Sequence, residues 1–294
     1  MGLDDMIISA FCIIDDALTS IGGRIRRAGP TPTVSDAEVI TMEVIGEFLG
    51  LDHDNHLMEF FRGQYGHFFP GIRRIHRTTF VRQAANLWRV KEQVWRRVLD
   101  LMSFEGGFAM VDSIPMPVCR FARAYRCRLF RPEAAFGKDH VERQTFFGFR
   151  LHARVCWPGV VTEFAIEPAN TAEPEVALSL AAGTTGTLVG DRGYSAAWLQ
   201  EALARRRVKL IAPHKSKKND PFPRLSRTIA RIRYRIECTL AQLVGRFQVK
   251  RVRTRDLWHL ASRVMRKVLS HTLMILLNQK AGNSPSIRLS TLLS

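Results

Sequence analysis

Apolar positions fall at helical spacing through the first hundred residues and change to strand spacing after Gly106-Gly107. Ser35-Asp36-Ala37-Glu38 has the form of a capping box, in which the Ser and Glu side chains each satisfy an orphan backbone amide. Val39, Met42, Ile45 and Leu49 follow it on one helical face. A second long helical pattern opens at Thr79 and takes in Phe80, Ala84, Leu87, Trp88, Trp95, Val98 and Met102. Short connections around Gly50 and Gly63-Gln64-Tyr65-Gly66 separate these patterns. Arg73, Arg74, Arg77 and Arg82 stand near the last helix, so a helix-turn-helix and a bundle that only packs both fit.

Beyond Gly107 a short apolar run ends at Asp112, and a basic segment follows. Phe147, Phe149, Leu151, Ala153, Val155 and Trp157 then alternate with Gly148, Arg150, His152, Arg154 and Cys156, the period of a half-buried strand. Pro158-Gly159 is a turn, and residues 160–167 form a further strand. Residues 173–182 read as a helix closed by Gly183. Residues 187–190 are a short buried strand ending at Asp191, 195–206 a helix, and 208–212 a strand. A polar loop with His214, Lys215, Lys217, Lys218 and Asn219 leads to a last helix bearing Glu237. The order β-β-β-α-β-α-β-α predicts an α/β fold, a mixed sheet with helices on its faces, preceded by an all-α region. The expected divisions are a helical domain over 1–105, an α/β domain over 106–280 and a tail over 281–294.

On the last helix Ile229, Ile232, Ile236, Leu240, Leu243 and Phe247 make one stripe. Arg231 and Arg235 point away from it, and Glu237 sits at its edge with Arg233 one turn before. An ordinary surface Glu–Arg pair would look the same. An edge carboxylate near the core face is costly, however, unless something cationic meets it.

Charge sharpens the picture. The 294 residues carry a formal net charge of +17, which points to nucleic acid or another polyanion as partner. Residues 1–50 hold eight acids against three arginines, whereas residues 205–267 hold 20 Lys or Arg and three acids. Phosphate binding is therefore expected of the C-terminal half. Five widely spaced cysteines with no CxxC pair read as reduced thiols of a cytoplasmic protein, not as a disulfide frame or zinc site. His53, His56 and His67 lack a cysteine to complete a zinc set. Acids flank the first apolar run, unlike a secretory leader, and the run near Leu273–Leu277 is far short of the ~20 residues that span a bilayer.

Against this basic background three acids stand out: Asp112, Asp191 and Glu237. Each closes or edges an element of the sheet–helix region. Single acids at such places usually cap helices or face water. Three in a consistent order suggest oxygen ligands for a hard divalent cation facing a polyanion.

The local sequences agree with this. Met110-Val111-Asp112-Ser113, Phe147-Gly148-Phe149-Arg150-Leu151-His152, Glu167-Pro168-Ala169-Asn170 and above all Gly190-Asp191-Arg192-Gly193-Tyr194 resemble the motifs of DDE transposases, in order. Arg233 four before Glu237 is similar to the Arg–Glu part of the Tyr-Arg-Glu-Lys signature of many bacterial insertion-sequence transposases. The signature's Tyr falls here on Ala230 and its Lys on Val244, with Arg246 and Lys250 on the next turns. Glu237 follows Asp191 by 46 positions, as in the short members without an insertion domain.

The resemblance covers roughly residues 107–280. It implies an RNase H-like core with Asp112, Asp191 and Glu237 as catalytic and metal ligands, holding two Mg2+ ions, for which Mn2+ substitutes. Asp112 would bridge the ions. Strand cleavage at element ends and joining of the 3′-OH to target DNA would follow. Double-stranded DNA is the implied partner, contacted by Arg192, Tyr194, Lys215, Lys217, Lys218, Arg233, Arg246 and Lys250. Element ends would fall to the N-terminal helices, and assembly on DNA to a homodimer associated with the bacterial nucleoid. A metal-dependent nuclease on the same core and a non-catalytic DNA-binding regulator are the competing classes.

Overall fold

The computed structural model describes residues 1–22, 31–139, 141–214 and 221–293. The elements in chain order are helices α1 (Leu3–Ile21), α2 (Asp36–Phe48), α3 (Asp54–Gln64), α4 (Arg77–Asn86) and α5 (Trp88–Asp100); strands β1 (Glu105–Pro117), β2 (Ala135–Asp139), β3 (Gln144–Trp157) and β4 (Val160–Pro168); then α6 (Glu173–Leu180), β5 (Gly186–Val189), α7 (Ala197–Arg205), β6 (Val208–Ile211), α8 (Pro223–Gly245) and α9 (Leu257–Lys280). They make a mixed α/β protein in two compact units. One comprises 1–102, 245–249 and 254–294; the other comprises 103–244 and 250–253.

The first unit is built on α1–α5 and α9. The capping box at the head of α2 is complete: Glu38 N donates to Ser35 Oγ at 3.1 Å, and Ser35 N donates to Glu38 Oε2 at 2.6 Å. The long helix expected from Thr79 divides instead, because Leu87 leaves helical ψ between α4 and α5. Each half then buries its own stripe, Phe80 and Ala84 in one, Val94, Trp95 and Val98 in the other.

Two of the N-terminal acids are not surface charges. Glu43 and Glu47 of α2 are buried and met by Lys91 of α5 (2.7 Å to Glu43) and by Arg266 and Lys267 of α9. Burying such ions is tolerated only when each is paired. Residues 264–278 of α9 are continuously buried. That is why the chain from Thr254 onward groups with the helices, not with the sheet as the expected limit at 280 had it.

The second unit carries a mixed sheet in the order β2-β3-β1-β5-β6, with β4 pairing β3 beyond β2 on the edge of β3 that faces away from β1. The pairs β1–β3, β2–β3 and β3–β4 are antiparallel, while β1–β5 and β5–β6 are parallel. The core joins Ala109, Val111 and Leu188 of the sheet to Val176 and Leu180 of α6 and to Leu199 and Leu203 of α7. Strand β2 lies in the stretch read only as a basic segment. Strand β1 runs five residues past Asp112, which therefore lies inside a strand and not at its end.

Candidate active site

Parallel register sets the first two acids side by side. Met110 of β1 is level with Val189 of β5, and Asp112 and Asp191 each follow two residues later on neighbouring chains. The two carboxylates are close enough for Asp191 to disfavour charge on Asp112. Burial does more: it is the main cause raising the Asp112 carboxyl to about 6, against the opposing pull of Arg233 and of the Ser113 amide. Asp112 Oδ1 accepts from Ser113 N at 2.8 Å, and Oδ2 accepts from Arg233 Nη2 at 3.0 Å.

In Gly190-Asp191-Arg192-Gly193-Tyr194 the two glycines and the aspartate shape one tight turn. Asp191 Oδ1 accepts from Gly193 N at 2.7 Å, tightening the turn that follows β5. A Cβ on Gly190 would stand 2.8 Å from Cβ of Tyr194, so only glycine lets the tyrosine fold back into the core. A Cβ on Gly193 would stand 2.9 Å from Asp191 Oδ1 and 2.9 Å from Glu173 Oε2. The bare glycine thus keeps a space open between two carboxylates.

Glu173 is the acid that the sequence did not single out. It opens α6, and its Oε1 accepts from Ser113 Oγ at 2.7 Å. Arg150 of β3 donates to the same hydroxyl at 3.0 Å and lies 3.5 Å from the Glu173 carboxylate. Ser113, beside Asp112, is therefore tied to Glu173, and Gly193, two after Asp191, lies next to the same carboxylate.

Helix α8 brings Arg233 to Asp112, with both side chains largely buried. Its Nε is buried without a hydrogen bond among the described residues. The guanidinium was expected to serve Glu237 or DNA; it serves Asp112. Glu237 stands one turn later on α8 and is exposed. Among the described residues, no three His, Cys, Asp or Glu side chains are gathered so as to hold a metal. Asp112 and Asp191 nevertheless suit a hard cation: they are adjacent, all-oxygen, and one of them already holds a cationic guanidinium.

The other expected DNA contacts divide. Arg192 is half-buried on the turn after Asp191. Tyr194 is only 1% exposed and packs in the sheet core, so it cannot reach DNA. Arg246 lies over the Phe48 ring at 4.6 Å. Lys250 is taken by Asp139 at 3.6 Å and Glu142 at 3.1 Å. Lys215, Lys217 and Lys218 lie outside the described residues. Of the basic residues in 205–267, Arg266 and Lys267 are buried in ion pairs and are removed from any phosphate-binding surface.

Two acids thus stand side by side, Asp112 within β1 and Asp191 just past the end of β5, with Arg233 held against Asp112. The sequence profile of a family described as transposase DDE domain matches residues 103–257, more than half of the chain, and the protein belongs to that family. No curated protein and no solved structure matches it. No described helix is long and apolar enough to cross a membrane.

Proposed function

We propose that the protein is a DNA transposase with an RNase H-like core, which cleaves the ends of an insertion sequence and joins the 3′-OH to target DNA. The observation that carries this is the β1–β5 register, which sets Asp112 beside Asp191 while α8, the helix bearing Glu237, puts Arg233 on Asp112. Asp112, Asp191 and Glu237 would hold divalent ions, Mg2+ or Mn2+. Such ions, when bound, neutralise charge on a phosphodiester and favour an attacking oxygen. Completing the set requires Glu237 to turn from solvent toward the aspartates.

The chain's own residues prepare that site. Burial raises the Asp112 carboxyl to about 6, and Arg233 supplies the positive charge that faces it. The Gly193 amide fixes Asp191, and Glu173 with Arg150 fixes Ser113 beside Asp112. Arg192, together with Lys215, Lys217 and Lys218, contributes positive charge toward phosphates.

The helical unit offers a cavity of about 500 Å³ lined in part by Arg77, Arg82, Trp258 and His259, which supports recognition of element ends there. A homodimer assembled on two ends, in the bacterial cytoplasm at the nucleoid, completes the reading. A nuclease on the same core would cut and not join. The purified protein is incubated with Mg2+, a supercoiled plasmid and labelled DNA from either flank of its gene. Labelled ends joined to the plasmid are expected; cutting without joining would place the protein among nucleases.

A further inference from the structure

Between β1 and β2 the chain crosses residues 118–134, a stretch that the site above does not use. No acid occurs in it before Glu133, while Arg120, Arg123, Arg126, Arg128 and Arg131 are all exposed. None of the five is ion-paired among the described residues. Aromatic rings stand out among them: Tyr125 is 71% exposed, Phe121 46%, and Phe136 at the head of β2 39%.

These rings touch in series. Phe121 and Tyr125 lie 6.3 Å apart, Tyr125 and Phe136 5.1 Å with planes inclined by 32°, and Phe136 lies 5.1 Å from Phe147 of β3. The backing is firm. Val118 N donates to Phe147 O, Ala124 and Phe130 are buried, and Phe130 meets Phe149 edge-on at 5.4 Å. Cys127 Sγ donates to Leu129 O at 3.8 Å, and the Cys127 thiol is near enough to Cys119 to help burial raise the Cys119 thiol.

A supported row of ring faces left in water is unfavourable unless something covers it. Unneutralised guanidiniums around the rings select an anion as the cover. An aromatic row flanked by cations matches a nucleic-acid strand whose base faces are free. In a duplex those faces are hidden in the stack. The segment also follows directly on the strand that carries Asp112.

We propose that this surface holds an unpaired stretch of DNA strand, its bases stacked on Phe121, Tyr125 and Phe136 and its phosphates met by the flanking arginines. The proposal rests on the reading of the protein as one that acts on DNA, and it adds a site for strand separated from its complement.

The test uses full-length protein in chelator, so that no cleavage occurs. The probes are a labelled thymidine oligonucleotide of roughly 20 residues and a duplex of equal length. The double variant Phe121→Ala/Tyr125→Ala is compared with Tyr125→Phe, with circular dichroism to confirm folding. The double variant is expected to bind the oligonucleotide at least about tenfold more weakly and the duplex within about twofold of wild type. Tyr125→Phe, which keeps the ring, should bind both as wild type does. Unchanged oligonucleotide affinity in a folded double variant would overturn the proposal. So would a changed sedimentation coefficient with unchanged oligonucleotide affinity, which would give the surface to a second copy of the chain. If wild type bound neither probe, the DNA reading itself would fall and take this proposal with it. Binding of both probes by wild type, combined with unaltered oligonucleotide binding in the variant, would defeat the proposal alone.

Discussion

A single methyl group separates the candidate site from a blocked one. At Gly193 it would press on Asp191 Oδ1 and Glu173 Oε2 together, and the flexible ends that must give way are those two carboxylates. Gly193→Ala should therefore fold with a thermal midpoint near wild type and lose metal-dependent cleavage by about tenfold or more. A lowered midpoint with normal cleavage would show that the glycine serves the fold alone.

Glu173 is a positioning residue on this account. Glu173→Ala removes the acceptor of Ser113 and the carboxylate facing Arg150, so urea unfolding should register a loss of about 1–3 kcal/mol. Glu173→Gln keeps an acceptor for Ser113 and should lose less. Arg233 differs from Arg231 and Arg235 in the same way: it meets Asp112, whereas Arg231 is exposed and Arg235 lies over Trp157 at 5.1 Å. Arg233→Ala should impair cleavage far more than Arg231→Ala, and equal mild losses would reduce Arg233 to part of the basic surface.

At the scale of elements the parallel β1–β5 contact matters most, because it aligns the aspartates. Gly186 makes that approach possible: its φ is +98°, and a Cβ there would stand 2.2 Å from the Gly107 carbonyl oxygen. Gly186→Ala should destabilise the sheet by about 2 kcal/mol or more in chemical unfolding, and a neutral result would contradict the geometry.

Alternation made β3 legible in the sequence, the run of β-branched and apolar residues after Pro158-Gly159 made β4 legible, and capping chemistry made the start of α2 legible. The continuation of β1 through Ser113-Ile114-Pro115-Met116-Pro117 was not, since two prolines read as a break. They are tolerated because β5 pairs with β1 only as far as Met110, leaving one edge of the later residues without a strand partner. Strand β2 is short and carries glycine and charge. Glu173 was passed over because an acid opening a helix reads as a favourable dipole contact and nothing more. Asp112 and Asp191 were visible as the ends of apolar runs. Their adjacency depends on register between segments nearly 80 positions apart, which no local pattern contains.

Over the whole molecule, charge and pH set the behaviour. Burial pushes His152 and His271 down to about 4, with Arg150 adding to the effect at His152. Their folded values lie below the unfolded one, so the unfolded chain takes up more protons between about pH 6.5 and 4, and stability falls as pH drops through that window. Each buried histidine accounts for roughly 3 kcal/mol at the acid end. Asp112 works the other way, because its raised carboxyl favours the folded state at low pH and that contribution is lost as pH rises from about 4 to 6. His152→Leu should therefore flatten the acid side of the stability profile measured by urea unfolding; an unchanged profile would mean that the ring is not held neutral.

DNA affinity should fall steeply with salt, although less than 20 basic residues in 205–267 would suggest, since several are spent in ion pairs. The most direct test of the account measures Mg2+-dependent strand cleavage, on DNA from the flanks of the gene, by Asp112→Asn, Asp191→Asn and Glu237→Gln, each checked for wild-type DNA affinity. All three variants are expected to bind DNA at least as well as wild type, and none to cut. Cleavage at the wild-type rate by any one of them would contradict the account.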